Sequence, residues 1–213
     1  MAAEPLRVLL VDDHAIARNG VRLMLGTAGD IAVAGEGADA LQALDLIRHE
    51  SFDVALLDIS MPGTGGLDLL RQLRAMRPDM AVLILSTYAE DIYAIRALKQ
   101  GAAGYLTKDV PTQVLVEAVR RVAGGRKYVS PSLVEKLAAL VSGDSTASGH
   151  DVLSNRELEV FKLIAQGEPL VQIGERLHLS PNTVTSYRAR ILDKMGMTSN
   201  AELTRYAIEH GLI

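Results

Sequence analysis

LRVLLVDD, residues 6–13, is an aliphatic run broken only by Arg7 and ended by two adjacent carboxylates. Its length suits a strand, and the lack of polar alternation suits a strand buried on both faces. Similar runs recur at 31–34, 54–57, 81–85 and 103–106. The segments between them carry helical spacing: Ile16, Val21, Met24 and Leu25; Leu41, Leu44 and Ile47; Leu67, Leu70 and Leu73; Ile92, Ile95 and Leu98; Val114, Val119 and Val122. Five strands alternating with five helices predict right-handed βαβ units and a parallel, doubly wound α/β sheet covered on both sides.

The chain has 213 residues, 48% hydrophobic and 23% charged, within the range of ordinary globular proteins. At this length it holds one large domain or two small ones. There is no Cys, which excludes disulfides and thiolate-bound metals. The first apolar run is too short for a secretion signal, and no apolar stretch is long enough to span a bilayer. A cytoplasmic location is the expectation. Net charge is −4, so any nucleic-acid contact must come from a local arrangement of basic groups.

The first domain is expected over 5–123. Gly124-Gly125 ends its fifth helix. A linker is expected over 124–150, holding a helix at about 132–141 after Pro131 and a Gly/Ser/Asp-rich tract, SGDSTASGH, at 142–150. Residues 151–213 read as four helices. The first carries a capping-box pattern, Ser154 with Glu157. A scaffold segment at about 170–177 precedes a Ser180-Pro181 start and a helix at about 181–194. Gly196 stops that helix, and a fourth runs from Asn200 to Glu209.

Ligands of parallel α/β sheets sit beyond the carboxyl ends of the strands. Asp12 and Asp13 follow the first strand, Asp58 the third, Ser86 the fourth and Lys108 the fifth. Three converging carboxylates repel one another unless a cation joins them. Oxygen ligands, read here as a set with no His or Cys, favour Mg²⁺. An Asp carboxylate can attack phosphorus to give an acyl phosphate, and a Lys ammonium and a Ser hydroxyl can bind the remaining oxygens. Taken singly, each group is an ordinary turn residue; the joint placement carries the reading.

The pieces VDDH (11–14), LLDISMPG (56–63), ILST (84–87) and GYLTKD (104–109) resemble, in order and spacing, a response-regulator receiver domain of the flavodoxin-like fold. The resemblance implies that Asp58 is the phosphoacceptor. It implies that Asp13, Asp58 and the Ser60 carbonyl, assisted by Asp12, hold Mg²⁺, and that Lys108 contacts the phosphoryl group. Ser86 takes the switch-hydroxyl position, with Thr87 adjacent, so a shift by one would exchange them. Tyr105 stands at the aromatic switch position; a rim aromatic covering the core is the alternative. Many receivers have Pro directly after the Lys, whereas here Asp109-Val110-Pro111 follows. The implied phosphodonor is a sensor histidine kinase or a small phosphorylated molecule.

On a helical wheel of the third C-terminal segment, Val184, Tyr187, Ile191 and Met195 share the side expected to be buried. Thr185, Ser186, Ala189 and Asp193 lie opposite, with Arg188, Arg190 and Lys194 on the flanks. Small polar groups on the crest allow close entry to a major groove, and flanking cations reach phosphates. The N-terminal end, near Asn182 and Thr183, can also meet a phosphate. Residues 153–210 resemble the LuxR-type helix-turn-helix of the NarL/FixJ regulators, through LSNRELEVFKLIAQG (153–167), IGERLHLSPNTVTSYRARILDKMGM (173–197) and AEL (201–203). Gly174 stands where the family usually has Ala, which weakens the scaffold helix slightly. The resemblance implies double-stranded DNA as partner and a homodimer when phosphorylated, with Leu203, Tyr206 and Ala207 as dimerisation candidates. It also implies a receiver that covers the recognition helix until Asp58 is phosphorylated.

Two other readings compete. A phosphohydrolase using an aspartyl-phosphate would usually carry a second Asp two residues after the nucleophile; that position is Ser60. The expectation is therefore no enzyme beyond self-phosphorylation and slow self-dephosphorylation. A constitutive DNA-binding protein using its first domain only for dimerisation would not need all five site groups.

Overall fold

The computed structural model describes residues 4–61, 64–88, 90–142 and 149–213. Pro62 and Gly63 of the LLDISMPG stretch, most of the 142–150 tract and the Ile92 side chain lie outside the described residues. Two compact units divide after Ser142.

The first unit alternates strands and helices: β1 Leu6–Val11, α1 Ala15–Gly26, β2 Ile31–Gly37, α2 Ala40–His49, β3 Val54–Leu57, α3 Gly66–Met76, β4 Ala81–Ser86, α4 Glu90–Lys99, β5 Gly104–Thr107 and α5 Thr112–Ala123. The strands form one parallel sheet in the order β2-β1-β3-β4-β5. Val8, Leu10, Val54, Leu56, Leu83 and Leu85 pack on one face with Val21 and Leu25 of α1 and Leu115, Val119 and Val122 of α5. The alternating partners Leu9, Val11, Ala55, Leu57, Val82 and Ile84 point to the other face and are equally buried. Burial on both faces is the physical reason the strands read as unbroken aliphatic runs.

Two residues of the apolar stripes point outward. Ile16 is 89% exposed and Leu41 78%. A five-residue step separates Ile16 from Val21, which rotates it well off the buried face. In α2 the buried stripe runs through Ala40, Ala43 and Ile47, and Leu41 falls beside it.

Residues 124–142 are not a free linker. Tyr128 donates its N–H to the Ala103 carbonyl at 2.9 Å, and α6, Pro131–Ser142, packs on α4. The Ser130 and Ser132 hydroxyls donate to Glu90 Oε2 at 2.6 and 3.1 Å, and Leu133 is buried. Helical periodicity alone could not locate this partner, because the contact is 40 residues distant in sequence.

The second unit opens with a 3-10 turn, Gly149–Val152. Four helices follow: α7 Asn155–Ala165, α8 Leu170–Leu177, α9 Pro181–Met195 and α10 Asn200–Glu209. Ser154 and Glu157 form a reciprocal capping box at α7. Ser180 and Ser199 accept N–H bonds at the starts of α9 and α10. The α8–α9 turn passes through His178 in the left-handed region, φ 53°. At Gly174 an added Cβ would lie 2.8 Å from the Leu179 carbonyl oxygen, so this glycine admits a close approach of the turn to α8.

α7 packs against α8, α9 and α10 and is buried nearly all round. It carries Lys162, 3% exposed, among those contacts. Burial lowers its pKa from the ordinary 10.5 to about 8. Below pH 8 the lysine is charged in both folded and unfolded states, and the burial cost is full. Between about 8 and 10.5 the unfolded chain binds more protons, so stability rises with pH. The shift corresponds to on the order of 3 kcal/mol. Lys162→Met is expected to raise the stability of this unit at pH 7 by about 2 kcal/mol and to flatten the rise above pH 8. Calorimetric unfolding of both proteins from pH 6 to 10 measures the difference; an unchanged pH profile would remove burial as the cause.

Candidate functional site

Parallel register builds the rim. Val11 pairs with Leu57, and Leu57 with Ile84; on the far side Ser86 pairs with Thr107. The residues that follow therefore emerge side by side. The Asp58 N–H donates to the Val11 carbonyl at 2.9 Å, and the Lys108 N–H to the Ser86 carbonyl at 2.8 Å. The chain leaves each strand at the same edge, so Asp12, Asp13, Asp58 and Lys108 meet although they come from three strand ends far apart in sequence, and Ser86 closes β4 between them.

Lys108 Nζ lies 2.6 Å from Asp12 Oδ2 and 2.9 Å from Asp58 Oδ2. Asp12 and Asp58 are each 2% exposed. Burial raises the Asp58 pKa, against the opposing pull of the Lys108 charge and hydrogen bond. Burial alone would lower the Lys108 pKa, but the two carboxylates outweigh it and hold the ammonium above the ordinary lysine value. The pocket therefore keeps a fixed cation between two carboxylates in a poorly hydrated place.

Asp58 Oδ1 also accepts the Ser60 N–H at 3.2 Å. The Ser60 hydroxyl oxygen is buried with no hydrogen-bond partner among the described residues. Ser86, the last residue of β4, is fully buried, and its hydroxyl accepts the Tyr88 N–H at 3.2 Å. Thr87 is exposed. Tyr105 is fully buried, not a rim cover, and its hydroxyl donates to the Tyr88 carbonyl at 2.8 Å. Burial pushes the Tyr105 pKa well above the usual tyrosine value. Among the described residues no peptide bond is cis, so the missing Pro after Lys108 leaves an ordinary trans link to Asp109.

The carboxylates expected from sequence come together with a histidine beside them. One ligand atom from each of Asp12, Asp13, His14 and Asp58 lies within 4.8 Å of the others, and such a group can hold a metal ion. His14 Nδ1 stands 2.9 Å from Asp13 Oδ1 and 3.6 Å from Asp12 Oδ1. His14 is the last residue of VDDH, but no periodicity tells which way a residue just past a strand turns.

A second residue the sequence reading passed over is Gly66, the first residue of α3. Its N–H donates to the Ile59 carbonyl at 3.1 Å, and an added Cβ would fall 2.1 Å from the Asp58 carbonyl oxygen. The start of α3 thus presses on the backbone that carries Asp58.

In the second unit, Asn182, Thr185, Ser186, Ala189 and Arg190 are exposed on α9, while Thr183 and Arg188 are half-buried. The Thr185 and Ser186 hydroxyls donate to the Pro181 and Asn182 carbonyls at 3.0 and 2.9 Å, which leaves their oxygens free to accept. Arg188 Nε donates to Asn200 Oδ1 at 2.6 Å, and the Arg190 guanidinium sits 5.4 Å from the Tyr187 ring centre. Lys194, expected on a flank, is exposed, and its Nζ lies 2.7 Å from buried Glu157 Oε2. Burial would raise the Glu157 pKa, but Lys194 and Ser154 together lower it.

The dimerisation candidates in α10 also need correction. Leu203 and Ala207 are wholly buried within this one chain, because they form the four-residue-spaced stripe that packs on α7. Tyr206 is half-buried, and its hydroxyl accepts the His150 N–H at 3.2 Å. The large apolar side chain that α10 exposes is Ile208.

An acidic rim on a doubly wound sheet, joined to a small helical unit built around a helix-turn-helix, defines a response regulator. Residues 8–120 match the response regulator receiver domain family, and residues 151–207 match the bacterial regulatory proteins of the luxR family. The chain belongs to the two-component response regulators of the NarL/FixJ family, with a receiver domain and a LuxR-type DNA-binding domain. It is 37% identical to the response regulator GacA of Pseudomonas aeruginosa, over 98% of both chains. It is also 37% identical to the response regulator UvrY of Escherichia coli, over 97% of this chain and 95% of that one. Among solved structures, the response regulator ChrA of a heme-sensing two-component system is 33% identical, with a TM-score of 0.53, covering 99% of this chain and all of that one. RcsB of Salmonella typhimurium, at 23% identity and a TM-score of 0.73, covers 98% and 99% and shares the fold. Among the described residues no helix is long and apolar enough to cross a membrane.

Proposed function

We propose that this response regulator stores a phosphoryl group on Asp58 and that the stored group governs how α9 meets double-stranded DNA. The observation that carries the reading is the Lys108 ammonium held within 2.9 Å of both buried carboxylates. An Asp58 carboxylate oxygen attacks the phosphorus of the donor, a sensor histidine kinase or a small molecule such as acetyl phosphate. The new P–O bond forms as the bond to the donor's leaving group breaks, and acetate departs from acetyl phosphate. Lys108 pairs with the phosphoryl oxygens, and the Ser86 hydroxyl, with Thr87 exposed beside it, receives another.

The donor set fits a hard divalent cation, and we assign Mg²⁺, held by Asp13, Asp58 and the Ser60 carbonyl with Asp12 assisting. Such an ion, when bound, screens the incoming anion from three carboxylates. Tyr105 and Tyr88, joined by a hydrogen bond, lie directly beyond Ser86 and are the switch elements of this reading. In the second unit Thr185, Ser186 and Ala189 face bases. Arg188 and Arg190 reach phosphates, as does the α9 start at Asn182 and Thr183. Lys194 serves mainly to hold Glu157. With no Arg or Lys on the crest, direct base readout is modest and much of the affinity is salt-dependent. Specificity then comes from a homodimer on two half-sites, in the cytoplasm where such DNA lies.

The test is incubation of the full chain with acetyl phosphate, with Mg²⁺ or with a chelator. A retarded band on a phosphate-affinity gel is expected only with Mg²⁺, and hydroxylamine should abolish it, as it cleaves acyl phosphates. The same samples should retain more duplex DNA selected from a random pool. No retardation with Mg²⁺ present would overturn the proposal.

A further inference from the structure

An open cavity of about 390 Å³ lies before the amino ends of β3 and β4, at the opposite edge of the sheet from the acidic pocket. Its lining is apolar in part: Phe52 and Met80 are buried there, and Met76 borders it at 42% exposure. The Phe52 ring is held firmly, because it packs where Gly35 has no side chain; an added Cβ would fall 2.8 Å from the ring. Among the described lining residues Arg77 is the sole cation, and it donates from Nε and Nη2 to the Ile47 carbonyl at 3.1 and 2.6 Å. Three carboxylates line the same space. Arg7 pairs with Glu50 at 2.8 Å, and its main-chain N–H donates to Asp53 Oδ2 at 2.7 Å. Asp79 is exposed and has no ion-pair or hydrogen-bond partner among the described residues.

Small-molecule sites begin at about this size and combine an apolar lining with a few fixed polar groups. Thioether side chains adapt to the shape of a ring, and an aromatic wall offers a face to stack on. An excess of carboxylates over cations selects positive charge. We infer that this cavity binds a small organic amine, its apolar body against Phe52, Met76 and Met80 and its ammonium on Asp79. Occupancy reaches Asp58 through two elements. β3 spans only the four residues between Asp53 and Asp58, and α3 runs from Gly66, against the Asp58 backbone, to Met76 at the cavity. Leu69, Leu70 and Leu73 of α3 are wholly buried, so a close-packed interior makes the helix shift as one body. A ligand that holds the far ends of both elements therefore changes the rate at which Asp58 takes up a phosphoryl group. This control rests on the reading of Asp58 as the acceptor; the binding does not.

Nuclear magnetic resonance of the full chain, with ¹³C-labelled methionine methyls, tests the site with phenethylamine as probe. Phenylethanol and phenylacetate carry the same ring on a neutral and an anionic end. Saturable shifts of the Met76 and Met80 methyls are expected with the amine at millimolar concentration, the affinity range of so small a ligand. Met24, Met195 and Met197, which do not line the cavity, should stay in place. Phenylethanol should bind more weakly and phenylacetate most weakly. Asp79→Asn, at an exposed position, should cost about fivefold in amine affinity and bring the amine level with phenylethanol. With the cavity saturated, the initial rate of acetyl-phosphate labelling of the wild type should change by about twofold or more. No saturable shift at Met76 and Met80 with the amine, or phenylacetate binding as tightly as the amine, would overturn the inference. Saturable binding at an unchanged labelling rate would overturn the control of Asp58 and keep the ligand site. A wild type that takes no label even without the amine would count against Asp58 as acceptor, and the binding result would stand apart from it.

Discussion

Asp58→Asn protein, treated with acetyl phosphate and Mg²⁺, should run entirely in the unretarded band of a phosphate-affinity gel, while the wild type is retarded. An amide is nearly isosteric with the carboxylate but supplies no anionic nucleophile. Asp12 is the nearest rival acceptor, since Lys108 holds it at 2.6 Å; its other oxygen accepts the His14 N–H. Asp58 has the same pattern of contacts, Lys108 at 2.9 Å on one oxygen and the Ser60 N–H on the other, so the labelling of the variant is what separates the two. The substitution should not harm the fold. Burial raises the folded-state pKa of Asp58, so the folded state binds more protons than the unfolded state through the window above the ordinary carboxylate value. Its charge therefore costs stability at neutral pH. Removing the charge should leave the melting temperature at pH 7 equal or higher, with Lys108 still paired to Asp12. A retarded band that survives in Asp58→Asn would move the acceptor to Asp12 or Asp13.

Gly66→Ala should produce the largest structural loss of any single methyl in the first unit. The added carbon would sit 2.1 Å from the Asp58 carbonyl oxygen and 2.6 Å from Ile59 Cα, both backbone atoms that no rotamer change can move aside. Either α3 or the 58–60 backbone must shift by about an ångström, an overpacking cost on the order of 3 kcal/mol. The shift falls on the segment carrying Asp58 and Ser60. A misplacement of that size at a reacting group can lower a rate about a hundredfold. Gly65→Ala is the control. Gly65 has φ −60°, and an added Cβ there meets nothing within 4 Å. Urea unfolding and the initial rate of acetyl-phosphate labelling should fall in Gly66→Ala and stay near wild type in Gly65→Ala. Equal behaviour of the two variants would show that the close approach has no consequence.

Much of the first unit was readable because its signals are local. Strand runs at 6–11 and 54–57 coincide with β1 and β3, and the polar residues after each run lie where strand ends face a ligand. The outward turn of Ile16 and Leu41 was not readable in the same way. An apolar residue off the buried stripe leaves no mark in composition, and the small residues Ala40 and Ala43 occupy the stripe instead. In the second unit the caps at Ser154 and Ser180 follow from short spacing rules. Lys194 illustrates the opposite case. The wheel places it on a solvent flank and it is exposed there, yet its side chain also pairs with Glu157, 37 residues earlier, which no periodicity within α9 could signal.

The order of residues by itself determined the alternation of strands and helices, the helix starts and the polar groups at strand ends, because each depends on neighbours within a few positions. Only the folded arrangement decided that His14 joins three carboxylates, that Gly66 touches the backbone of Asp58, that α6 packs on α4, and that Leu203 and Ala207 belong to the interior. Those outcomes depend on which distant surfaces meet. Parallel register and helix packing settle that for the whole unit at once, and the spacing within any one segment carries no record of it.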